Sequence, residues 1–172
     1  MPKIILDGAI VDDHWSVLDK DAAAPIPNKN DVPFLIVPLK IWQARRDELM
    51  ARGGSLGLLL QANDEPIPFS SDMSIFALIA IHFEKFTDGR GYSLGRLLRE
   101  RYCFRGELRA VGDVLQDQLF YMKRSGFNAF AIRADKSIDA ALKSLKDFSE
   151  TYQGAWDQPL PLFKRRDSSS AA

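Results

Sequence analysis

Between Ser74 and Tyr152 the chain alternates short apolar runs with stretches of helical spacing, and this rhythm constrains the fold most. Ile75–Ile81, Glu107–Val111 and Phe127–Ile132 read as strands. Gly91–Tyr102, Val114–Arg124 and Ser137–Tyr152 read as the helices that follow them. Leu94, Leu97 and Leu98 share one side of the first helix; Leu115, Leu119 and Met122 line the second; Ala141, Leu142, Leu145 and Phe148 line the third. Helical crossovers between apolar runs imply βαβ units and a parallel sheet, because parallel neighbours cannot be joined by a tight turn.

Upstream, Lys3–Val11 holds two β-prone runs around Asp7-Gly8, a hairpin signal. Asp19–Asn30 reads as a loop or strap. Phe34–Val37 reads as a strand, with a helix opening at Pro38 and ending at Gly53-Gly54, and Leu56–Leu60 as a further apolar run. The expectation is an α/β domain over residues 1–156: a mostly parallel sheet of about five strands with helices packed on it, doubly wound rather than a part-barrel. An N-terminal β-hairpin and a flexible tail over 157–172 complete it.

A chain of 172 residues suits one domain, and 23 basic against 23 acidic side chains leave no charge signature for nucleic acid or an anionic membrane. The lone Cys103 excludes an internal disulfide and any site needing several cysteines. No early basic-then-apolar segment and no run of about 18 apolar residues is present, so a cytoplasmic protein is expected.

Open parallel sheets bind ligands at the carboxyl ends of their strands. Three polar turns fall there: Thr87-Asp88-Gly89-Arg90-Gly91-Tyr92, Gly112-Asp113, and Arg133-Ala134-Asp135. Free backbone N–H groups at a glycine-rich strand–helix turn can hold an anion. Gly89-x-Gly91-x-x-x-Gly95 resembles a dinucleotide turn, with Asp113 placed where a ribose hydroxyl would be met. Its third glycine comes one place late, and Arg90 stands where the pyrophosphate would approach. No cofactor motif is complete, and a nucleotide cofactor is kept as an alternative.

From Thr87 to Arg109 there are six arginines, three acids and no lysine, which suits oxyanion, carboxylate or partner contacts. Arg90, in the turn, and Arg109, inside a strand, are the stronger candidates; Arg96 and Glu100 are spaced as a surface pair. Asp113 can cap its helix with Gln116 at the capping-box position. Asp117 and Gln118 matter if they reach the Asp88 turn, where two carboxylates could share a proton or a metal. His82 ends its strand beside the turn and suits either acid–base work or packing. No nucleophile–base pair and no metal set is legible. The candidate set is Thr87, Asp88, Gly89, Arg90, Gly91, Tyr92, Arg109, Asp113, Asp117 and Gln118.

The segments Phe86–Ser93, Leu97-Leu98-Arg99, Gly106–Gln118 and Gly126–Phe130 resemble an uncharacterised bacterial family commonly labelled as an oxidoreductase probably involved in sulfite reduction. Genes of that family tend to stand beside those of the sulfite reductase hemoprotein. The resemblance implies a role in sulfate assimilation and cysteine biosynthesis, with the hemoprotein as partner. Whether the chain is itself an enzyme stays open: an accessory protein docking through its arginine-rich segment is one reading, and an oxidoreductase or an oxyanion- or nucleotide-binding enzyme using Asp88–Tyr92 is the other. Self-association is also left open.

Overall fold

A computed structural model describes residues 1–19 and 25–169, so part of the Asp19–Asn30 strap and the last three residues lie outside the described chain. One eight-stranded sheet organises the molecule. Its strands are β1 (Lys3–Leu6), β2 (Ala9–Asp12), β3 (Ser16–Val17), β4 (Phe34–Pro38), β5 (Ser55–Gln61), β6 (Phe76–Phe83), β7 (Glu107–Gly112) and β8 (Ala129–Phe130). Their spatial order is β2-β1-β8-β7-β6-β5-β4-β3. Six strands, β3 to β8, run parallel in chain order. The hairpin β1–β2 turns at Asp7-Gly8, both at positive φ, and joins antiparallel through β1 on β8.

The helices are α1 (Leu39–Arg52), α2 (Arg90–Glu100), α3 (Leu119–Arg124), α4 (Ile138–Ser144) and α5 (Leu162–Ser169), with 3-10 segments at Ile67–Ile75 and Gln116–Gln118. Three expected elements are shorter. The Ser137–Tyr152 helix ends at Ser144, the Val114–Arg124 helix divides into a 3-10 turn and α3, and β8 keeps only two paired residues.

The five-stranded, doubly wound sheet is overturned: this is an α/β half-barrel with a mixed sheet of eight strands. The physical reason is one-sided helix packing. Leu39, Trp42, Leu49, Leu94, Leu98, Leu119, Met122, Ala141 and Leu145 share one core with Leu35, Val37, Leu58, Leu60, Ile79, Ile81, Leu108, Ala110 and Phe130 of the strands. On the opposite face Ile36, Leu59, Leu78 and Ala80 form a separate cluster, met by Trp15 and Val111.

Chain reach shows how strongly the sheet curls. β2 and β3 lie at opposite edges, yet only residues 13–15 join them. Four Cα steps span at most about 14 Å, whereas the outer strands of a flat eight-stranded sheet stand about 34 Å apart. Residues 13–15 therefore cross the hollow of the half-barrel as a chord. Asp13 accepts two hydrogen bonds from Nη1 of Arg109, at 2.9 and 3.0 Å, in the middle of the sheet. The Trp15 ring lies over Gly57, where an added Cβ would stand 3.2 Å from it, and packs against Phe34 at 5.4 Å. A side chain at position 57 would thus push the chord off the sheet.

Arg99 ties the outer layer together. Its guanidinium donates to the carbonyls of Gly126 (2.9 Å), Phe104 (2.8 Å) and Gly106 (2.9 Å) and to Oδ1 of Asn128 (3.1 Å). Burial pulls its pKa down to about 10. The end of α2 and the starts of β7 and β8 hang from this one side chain.

Candidate functional site

The carboxyl ends of β6, β7 and β8 form one rim of the half-barrel, the place where parallel barrels put their ligands. The loop after β6, residues 84–89, is tied to the neighbouring βα units by side chains. Asp113 accepts a hydrogen bond from the Phe86 N–H at 2.9 Å, and Gln118 donates from Nε2 to the Phe86 carbonyl at 2.7 Å. Gln118 Oε1 accepts from the Leu115 N–H at 3.0 Å, so one amide fastens two loops. Arg133 bridges Asp113 (2.9 Å) and Asp135 (2.8 Å), joining the β7 and β8 ends. Arg133 holds both carboxyls below the usual range, and Asp113 is held down further by the Phe86 N–H. Asp113 thus fastens a loop instead of capping the next helix.

The glycine turn is closed by its own side chains. Asp88 Oδ1 accepts from the Arg90 N–H (3.1 Å) and Nε (2.9 Å), and Oδ2 accepts from Nη2 (2.7 Å). Its carboxylate occupies the start of α2, where a phosphate would sit, and Arg90 lowers its pKa to about 2. The glycines serve packing. A Cβ on Gly91 would stand 2.5 Å from the Phe83 ring, and one on Gly95 would stand 2.6 Å from Phe127. Gly89 faces open space, and Thr87 is exposed.

The other candidates divide between two places. Tyr92 lies beside Gln118 and meets Phe83 edge-on at 5.4 Å and Tyr121 at 5.3 Å; burial pushes its phenol up. Asp117 is exposed on the 3-10 turn, with no hydrogen bond to the Asp88 turn. Arg109 is remote from the rim loops, buried on the inner face between Asp13 and Glu107 (2.6 Å to the latter). Glu107 is pushed up by burial despite that arginine. His82 packs on Gly112, and its buried Nδ1 has no partner among the described residues. The described residues hold no group of three histidine, cysteine or acidic side chains arranged for a metal. No described helix is long and apolar enough to cross a membrane.

Of the six arginines of the arginine-rich segment, Arg99 and Arg109 point inward, leaving Arg90, Arg96, Arg101 and Arg105 outside. Two features of the site escape a reading of charges: Phe86 and Tyr121 are large rings more than half exposed. Tyr92, Arg96 and Tyr121 also border a hollow of about 230 Å³ between α2 and α3. Their signal in the sequence is faint, since an exposed ring is legible only once its helix face is known.

No curated protein and no solved structure matches the chain. Residues 57–163, from β5 through α2, α3 and α4, match a family of bacterial proteins of unknown function, DUF934, and the chain belongs to that family.

Proposed function

We propose that the protein is an accessory factor of assimilatory sulfite reduction that docks on the sulfite reductase hemoprotein through the Phe86 loop and the adjoining face of Tyr92, Arg96 and Tyr121. The pathway comes from the family resemblance of Phe86–Ser93 and Gly106–Gln118; the mode of action comes from the geometry. One observation carries it: both backbone polar groups of Phe86 are held by side chains of the next βα unit, while its ring stays in solvent. A ring carried on an already fastened backbone needs no loop ordering on binding, and aromatic residues with arginine dominate the energetics of protein interfaces. The Asp88–Arg90 pair favours this reading over an oxyanion cradle, because a ligand there would have to displace a carboxylate already bound to the same donors.

Capture of the hemoprotein on immobilised full-length protein tests the proposal. Wild type should retain it at low salt and release it at high salt. F86S/Y121S should fail to retain it while melting at the wild-type temperature, since both rings are exposed. Equal capture by the double variant, or no capture by wild type, overturns the docking reading.

A further inference from the structure

The seam between the parallel strands and the N-terminal hairpin holds a second feature, at the opposite ends of the strands from the Phe86 loop. Here β8 pairs antiparallel with β1, through Ile5–Phe130 and Leu6–Ala129. The last βα unit is short, with a two-residue strand and a seven-residue helix, so α4 covers the seam incompletely. What remains is a cavity of about 250 Å³. Phe127, Phe130, Leu142 and Leu145 give it an apolar lining, which the exposed Lys123 and Lys146 complete together with Asp7.

The charged residues of this lining do not balance, with two lysines against Asp7. Asp7 accepts a hydrogen bond from Nδ2 of Asn128 at 3.0 Å, and no described residue forms an ion pair with Lys123 or Lys146. The two lysines come from separate elements, α3 and the chain just after α4, yet line the same apolar hollow. A hollow lined by apolar rings and leucines together with two lysines matches a molecule with an apolar body and an anionic head. The volume equals roughly eight waters and falls below the range of about 300–1,000 Å³ typical of drug-sized ligands, so the body is small.

We infer that this cavity is a binding site for a small amphipathic monoanion, a carboxylate carrying one ring or a short branched chain. The body lies on Phe127, Phe130, Leu142 and Leu145, and the carboxylate meets Lys123 and Lys146. Each contribution alone is modest: an exposed ion pair adds little affinity, and a small apolar body gives affinity only when fully covered. Selectivity therefore lies in the combination, which is how the site is tested.

The full-length protein is titrated with phenylacetate, with acetate (head without body) and with phenylacetamide (body without charge), while backbone amide resonances are followed. Phenylacetate should shift the amides of Asp7, Gly8, Phe127–Phe130 and Leu142–Lys146 saturably, and both comparators should bind at least about tenfold more weakly. K123Q/K146Q should weaken phenylacetate about tenfold, leave phenylacetamide unchanged and melt as wild type does. Acetate binding as well as phenylacetate would mean the lysines only offset the carbonyl ends of α3 and α4, and would overturn the site. Saturable shifts elsewhere, or none with phenylacetate, overturn it as well. Neither result bears on capture of the hemoprotein, which is read at the other end of the strands.

Discussion

The molecule contains two arginine–carboxylate networks of similar chemistry in opposite surroundings. On the inner face Arg109, 2% exposed, is gripped by Asp13 and Glu107. On the rim Arg90 and Arg133 pair with Asp88, Asp113 and Asp135 in solvent. The inner network holds the chord across the half-barrel, so it carries tertiary structure. The rim network fastens surface loops to one another. Identical pairs thus do different work: a buried charge left alone is expensive, whereas an exposed one is hydrated at once.

The largest effect is expected from R109L, which leaves Asp13 and Glu107 facing each other without a cation. It should cost about 3–5 kcal/mol in urea unfolding. R109L/D13N/E107Q should recover more than half of that loss; if it recovers none, Arg109 acts through packing and the comparison fails. Next comes G91A, whose Cβ would stand 2.5 Å from Phe83, at about 1–3 kcal/mol. G89A, at φ −74° and facing open space, should unfold as wild type does. That contrast isolates the packing role of Gly91 from any general effect of a side chain in the turn.

R90A should lower the melting midpoint only slightly, and a fall as large as that of R109L would erase the distinction between the two networks. The smallest effects are in pH dependence, and their signs differ. The Asp88 carboxyl lies below its ordinary value, so its contribution is present above about pH 4 and is lost as pH falls toward about 2. Glu107 lies above its ordinary value, so its contribution is full below about pH 4 and is lost as pH rises through the raised value. Stability differences between wild type and D88N should therefore shrink on acidification. Those between wild type and E107Q should shift against wild type as pH rises.

The alternation of β6, α2, β7 and α3 was legible because its apolar spacing changes period from strand to helix. The curvature was not. Ser55–Gln61 is apolar on both faces, which suggests helices on both sides. In fact Leu58 and Leu60 meet helices, while Leu59 belongs to an inner cluster covered by the chord. Burial of both faces does not specify what covers them. At the site, Asp113 and Gln118 were findable from their place at a strand end, although their role is to hold Phe86. Asp13 was invisible beside Arg109, because 96 residues separate them and nothing local marks the pair.

The position of β1 between β2 and β8 has a consequence for how the chain comes together during synthesis. Ile5 is made well before its neighbour Phe130, which lies 125 residues further along the chain (130 − 5). Until then the hairpin can pair only with itself, and the chord has no anchor before Arg109 emerges. The strand β1 must therefore wait for more than a hundred further residues before its second edge is covered, which makes that edge a place in need of protection while the protein is being born.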